Sequence, residues 1–232
     1  MNTLKKLFAA LGMVLAASSW ATTSTFYNPY PESQVNLLYN LLFCDDISLF
    51  SSQVRPKRDE LWAPLLETQL DKAALRKIAD EATNEGRVRA LAYNRLRAAG
   101  ANVPAKILLG VIVEVPLEQG LDVLAAFSDG GVRYLNQSGK PAIFEGKGHP
   151  AEVLAKELVS VSQSIVDSVG PRQEQRRPPP KAGNVRLTFL VSDGLYFGEG
   201  SFSDLQNNRI AGPVLDKATQ LLLRVVDLAT NE

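Results

Sequence analysis

The chain has 232 residues, 45% of them apolar, and sets 25 Lys plus Arg against 25 Asp plus Glu. That balance gives no electrostatic footprint for nucleic acid. One cysteine and one histidine allow no internal disulfide and offer only two of the several Cys and His ligands that a zinc site takes.

The amino terminus reads as an address. Lys5 and Lys6 precede an almost wholly apolar run from Leu7 to Ala17, and Ser19-Trp20-Ala21 puts small residues where a signal peptidase reads. This order predicts a cleavable signal peptide over residues 1–21. The apolar run is shorter than the roughly 20 residues of a membrane span, and no later run reaches that length. The expectation is a periplasmic or secreted protein with no stable membrane insertion after cleavage. Losing residues 1–21 removes two lysines and no acidic residue, which leaves a net charge of −2. The remaining chain is long enough to bury a substantial core.

Residues 22–33 are polar and aromatic, with Pro29 and Pro31, and predict an extended arm; deleting Thr22 to Pro31 is expected to leave the fold intact and weaken partner capture. Residues 34–100 predict a helical region. Val35, Leu38, Tyr39, Leu42 and Phe43 recur at helical spacing, and Leu61 to Ala99 is rich in good helix formers, with a break expected near Gly86. Cys44 sits among apolar side chains and reads first as a buried, inert thiol; an intermolecular disulfide or a catalytic thiol are the alternatives.

Residues 106–230 change pattern. "KILLGVIVEV", "LDVLAAFSDG", "VRYLNQSG" and "PAIFEG" are short, strand-like and bounded by Gly, Pro or Asn. Ala151 to Val169 returns to helical spacing, and a polar, Pro- and Arg-rich loop over 170–183 is expected to be flexible. Two further strands follow; Val185, Leu187, Phe189 and Val191 share one face, opposite Arg186 and Thr188. A last helix starts near Gly212-Pro213. The fold class is α+β: N-terminal helices, then an antiparallel sheet of about five to six strands covered by two helices. Over residues 107–229 the element order loosely resembles the profilin and roadblock sandwiches. That resemblance implies a binding or scaffolding module, by analogy alone.

Several groups invite chemistry. "FSDGG" and "VSDGL" repeat Ser-Asp-Gly after an apolar run; two-residue hairpin turns of one style explain both, and paired carboxylates are the rival. "GKGHPA" fits a dinucleotide fingerprint through Gly146, Gly148 and Ala151, but the strands before it look antiparallel and Pro150 removes an amide. A modest anion site at that helix start is the lesser alternative. His149 would have to serve any Ser-His or Cys44–His149 pair, and no G-x-S-x-G elbow is present. Glu114, Glu118, Asp122, Glu145, Asp193 and Glu199 fall near strand ends, where they guard edges or form an acid–base pair. Arg87, Arg89, Arg95 and Arg97 ring their helix and read as snorkelling surface residues. Arg172, Arg176, Arg177 and Lys181 read as solvated loop charges.

The prediction is an exported, soluble, non-enzymatic binding protein of the cell envelope, with no cofactor, metal or catalytic residue assigned. Its partner is expected to be another envelope or extracellular protein, captured by Phe26, Tyr27 and Tyr30 of the arm and by Tyr196 and Phe197. The alternative is an exported hydrolase using paired carboxylates at strand ends.

Overall fold

The structure, a computed structural model, describes residues 26–43, 47, 49–50, 61–172 and 177–230. The predicted signal peptide, the start of the arm, Cys44 and Arg176 lie outside them. Six strands form one antiparallel sheet: β1 (Leu108–Leu117), β2 (Gly120–Phe127), β3 (Val132–Leu135), β4 (Pro141–Phe144), β5 (Asn184–Val191) and β6 (Gly194–Ser201). Their order is β4-β3-β2-β1-β5-β6, so β1 pairs with both β2 and β5. The α+β class and the antiparallel sheet are as the sequence predicts. The profilin and roadblock resemblance is not confirmed.

Seven helices lie among the described residues: α1 (Ser33–Leu42), α2 (Ala63–Leu66), α3 (Lys72–Asp80), α4 (Gly86–Ala98), α5 (Glu152–Ser168), α6 (Phe202–Gln206) and α7 (Ala211–Thr230). Local signals set several boundaries. Asp71 accepts hydrogen bonds from the amides of Ala73 and Ala74 and starts α3, and Ser201 caps α6 through the Asp204 amide. The break expected near Gly86 falls between α3, which ends at Asp80, and α4, which Gly86 begins.

The sheet is covered on both faces. Val111, Val113, Leu124, Val185, Leu187, Phe189 and Val191 point to a back core filled by Leu158 and Val166 of α5 and by Val214, Leu221 and Val225 of α7. Leu109, Ile112, Leu121, Val123, Ala125 and Phe127 point the other way, to a front core shared with Tyr39 of α1, Leu75 of α3 and Leu91 and Leu96 of α4. Burying a side chain such as Phe189 stabilises the fold by about 2 kcal/mol. The expectation of two covering helices describes the back face; the helical region covers the front as well.

The sheet has two different edges. At one end β4 is only four residues long and opens with a proline. At the other, Arg172 donates its amide to Leu195 of β6, and Pro171 approaches so closely that a Cβ on Gly194 would lie 2.9 Å from the Pro171 ring.

Helix α4 meets the sheet at Gly86, where an added Cβ would lie 2.4 Å from the Leu109 carbonyl oxygen and 2.9 Å from Ser128 Oγ. Replacing a helical glycine by alanine ordinarily helps a helix by about 1 kcal/mol. Here Gly86→Ala is expected to destabilise the protein by about 1–3 kcal/mol through overpacking, read as a lower midpoint in urea unfolding. Ser128 Oγ is buried without a hydrogen-bond partner among the described residues. Ser128→Ala is therefore expected to leave the midpoint unchanged or raise it.

Candidate functional site

The two Ser-Asp-Gly stretches form different turns. In the first, the Phe127 amide donates to Gly131 and the Gly130 amide to Phe127. This is a three-residue loop, with Gly130 at φ 100° in the conformation only glycine adopts freely. In the second, Val191 pairs with Gly194, so Ser192 and Asp193 alone make the loop. The first turn matches the Asn136–Lys140 loop, and the second matches Glu118-Gln119. The expectation of one shared two-residue style is corrected: the same tripeptide enters the hairpins in different registers.

The two turns have a common task. Asp129 Oδ1 accepts the Gly86 amide at 2.7 Å, at the start of α4. At the other end of that helix, Arg97 Nη1 donates to the Ser192 carbonyl at 2.5 Å. Ser192 Oγ donates to Pro104 and accepts from the Ile107 amide, tying in the segment that follows α4. Asp193 is occupied instead by the Tyr196 hydroxyl, 3.1 Å away. Burial first, and Asp193 beside it, push that hydroxyl up to about 12.

Of the six carboxylates near strand ends, Glu114 and Glu199 converge. Glu114 on β1, Arg186 on β5 and Glu199 on β6 are direct cross-strand neighbours on the front face. Arg186 donates from Nε and Nη2 to Glu199 at 3.0 and 2.8 Å and from Nη1 to the Pro178 carbonyl at 2.5 Å, with Glu114 Oε2 3.9 Å away. The Tyr39 hydroxyl of α1 closes the group with a 2.6 Å bond to Glu114 Oε1. Phe43, Thr188, Arg177 and Phe197 line the cavity beside it, which measures about 20 Å³. That is room for about one water molecule. Burial alone would raise the Glu199 carboxyl; hydrogen bonds from Arg186 and Asn184 and the two nearby guanidinia outweigh it and hold Glu199 below its usual range. A carboxyl held ionised in this way is ill suited to donate a proton.

The other carboxylates lie apart. Glu118 is exposed in the β1–β2 turn, Glu145 pairs with Arg133, and Asp122 accepts from the Tyr134 hydroxyl and the Gln137 amide. His149 stacks on Phe144; its Nε2 lies 3.0 Å from the Gly130 carbonyl, and its Nδ1 accepts from the Ala151 amide. At the start of α5 the Glu152 carboxylate already accepts the Gly148 amide, so the chain supplies its own anion there.

The arginines of α4 are not surface residues that snorkel. Arg87 and Arg89 are buried; Arg89 donates to the Ala79 carbonyl, Arg95 to Leu65 and Glu67, and Arg97 to Ser192. Arg87 pairs with Glu85 and lies over the Trp62 ring. They ring the helix because protein surrounds its first two turns and supplies carbonyl acceptors to Arg95 and Arg97 in the last.

The aromatic residues divide. Tyr196 is 0% exposed and Tyr30 is 4% exposed, so neither offers a contact surface; Tyr30 stacks edge-on to Tyr39 and donates its hydroxyl to the Leu121 carbonyl. Phe26, Tyr27 and Phe197 stay half-buried. The arm is held by two side chains that the sequence reading passed over. Asn36 and Asn40, four residues apart on α1, pair through both amide atoms with the backbones of Tyr30 and Tyr27. They take the place of a neighbouring strand. The signal was present: two asparagines on the buried stripe of an apolar helix require partners. Because Tyr30 is part of the front core, removing residues 22–31 would open that core, contrary to the expectation of an indifferent fold.

Two open grooves flank the arm and share Asn28 and Pro31. One, of about 430 Å³, is walled by Pro29, Pro116, Leu117, Pro179 and Pro180; the other, of about 400 Å³, by Phe26, Leu37 and Asn40. Residues 177–180 of the Pro-rich loop thus lie against the sheet, with Pro180 buried. No protein family matches the chain, and no curated protein is significantly similar to it.

The lowered Glu199 carboxyl carries a stability signature. Its stabilising contribution is complete above its ordinary value of 4.5 and is lost as the pH falls below it through the folded-state value. Urea midpoints measured from about pH 7 to about pH 3 are expected to fall less steeply in Glu199→Gln than in the parent chain.

Proposed function

We propose that the protein is exported and acts outside the cytoplasm by binding another envelope or extracellular protein, without catalysing a reaction. The observation that carries this reading is the mounting of the arm. Asn36 and Asn40 fix its backbone, so that Phe26, Asn28 and Pro31 line one open groove and Asn28, Pro29 and Pro31 line another, with Tyr27 between Phe26 and Asn28 in the chain. Both grooves are open, and five of the eleven residues lining the larger one are prolines: Pro29, Pro31, Pro116, Pro179 and Pro180. Prolines offer apolar rings without amide donors, a surface suited to an extended polypeptide segment more than to a polar substrate. Fixing the arm in advance reduces the ordering cost of association. No helix among the described residues is long and apolar enough to cross a membrane. Export itself rests on the basic, apolar and small segments of residues 1–21.

The hydrolase alternative has one feature in its favour, the approach of Glu114 and Glu199. Arg186 stands between them, and the adjoining cavity of about 20 Å³ has no room for a sugar or peptide.

Two measurements test the reading. The protein recovered from its producing cells should begin at Thr22, as read by mass spectrometry; an intact leader on soluble protein would refute export by signal cleavage. A photo-crosslinking residue at Tyr27 or at Leu117, which is 42% exposed, should give a discrete adduct in living cells. The same residue at Val153, on α5 and 68% exposed, should not. Equal adducts at all three positions, or none, would overturn the arm as a docking surface.

A further inference from the structure

A fourth hollow lies on the back face, away from the arm, between the sheet and α7. Its volume is about 100 Å³, and its walls are Val113, Leu124, Val185, Leu215 and Leu222. For scale, an apolar cavity of about 150 Å³ in a protein core binds benzene. Phe202, 51% exposed at the first position of α6, stands at its rim, and Thr219 of α7 lines it with a hydroxyl already bonded to the Leu215 carbonyl.

One end of this apolar hollow is charged. Asp122 follows Leu121 on β2 and faces the back, with Leu124 two residues further on the same side. Its Oδ2 accepts the Tyr134 hydroxyl at 2.9 Å and its Oδ1 accepts the Gln137 amide at 2.8 Å. A carboxylate has about four acceptor positions, so about two are unused. Among the described residues no lysine or arginine forms an ion pair with Asp122. Tyr134 carries no positive charge in either protonation state; burial first, then its bond to Asp122, raise its ionisation well above the ordinary tyrosine range, so it adds no second negative charge either. A half-buried carboxylate beside apolar walls, with spare lone pairs and no counter-ion, is a site of charge complementarity for a cation.

We propose that this pocket binds a small primary amine with a branched-alkyl or single-ring body, the ammonium on Asp122 and the apolar body between β1, β2, β5 and α7. The ammonium takes the free lone pairs of Asp122 while the body replaces water against Val113, Leu124 and Leu222. The exposed Phe202 ring at the rim, across β1 and β5 from Asp122, offers further apolar surface to the body. An anionic ligand of the same shape is repelled, and a neutral one leaves the carboxylate uncompensated. This site is independent of the arm, so its failure and the failure of the docking reading are separable.

The test uses the purified full chain with isoamylamine, isoamyl alcohol and isocaproate, which share a branched body and differ in charge. Calorimetry, with amide shifts of Ala218 and Leu222 followed by NMR, is expected to show amine binding. The alcohol should bind about tenfold more weakly or worse, because its hydroxyl can donate to Asp122 but brings no positive charge to pair with the carboxylate. Isocaproate should not bind. Asp122→Asn should erase the amine's advantage over the alcohol. Thr219→Phe, which fills the hollow from a helix face, should abolish binding of both while the thermal midpoint is kept. Equal affinity for amine and alcohol, no binding by the amine, or amine binding that survives Thr219→Phe would each overturn the proposal. Should Asp122→Asn fail to fold, the amine-to-alcohol ratio on the parent chain and the Thr219→Phe result still decide it.

Discussion

The grip of two hairpin turns on helix α4 holds the front of this protein in place. A helix leaves amide donors unpaired at its start and carbonyl acceptors unpaired at its end, with partial charges to match. Asp129 meets the first need at Gly86, and the last turn carries Arg97 outward to the Ser192 carbonyl. Because both receiving groups lie in tight loops of the sheet, α4 has one angle and one register across the strands. Leu91 and Leu96 then enter the front core, and α3 packs beside them. The Asp-Gly pairs are therefore joints, and their carboxylates are spent on a backbone amide and a tyrosine hydroxyl.

Covering the sheet on both sides has a cost that the interior must offset. Side chains alternate along a strand, so a sheet with one apolar face presents its other residues to whatever covers it. Here those residues include Glu114, Arg133 and Arg186, all buried. Each buried charge loses several kcal/mol of hydration, a loss that only surrounding partners offset. Arg133 has the Leu42 carbonyl, Glu85 and Glu145; Arg186 has Glu199, Glu114 and the Pro178 carbonyl. The partners come from α1, from the segment before α4 and from the Pro-rich stretch. The charges thus select which segments may lie over the sheet, and hydrophobic burial supplies the stabilisation.

The parts of this arrangement legible in the sequence were those set by local periodicity. The spacing of Val35, Leu38, Tyr39 and Leu42 announces α1, and the alternation of Val185, Leu187, Phe189 and Val191 announces β5 and its core face. Periodicity also puts Arg186 and Thr188 on the opposite face, and both are buried there. A pattern gives the side that is apolar, but not what lies over the polar side. The ring of arginines on α4 misleads for the same reason, since a helix enclosed by carbonyl oxygens and one bathed in water both carry charge all round. The turns were legible as turns, whereas their lengths depend on which residues pair. Asn36 and Asn40 were open to reading, because a buried amide needs a partner, but their partner is a backbone distant in space.

The sheet's borders bear on how such a chain behaves at high concentration. A strand with unpaired amides and carbonyls along its flank is a template on which further copies can add, and the result is a fibre. At one border only four residues are offered, the first of them an imino acid with no hydrogen to share. At the other the flank is partly occupied by the chain's own Arg172. A molecule with a single cysteine and no internal crosslink has no covalent insurance against self-templating. Its protection is the short reach of one margin and the self-pairing of the other.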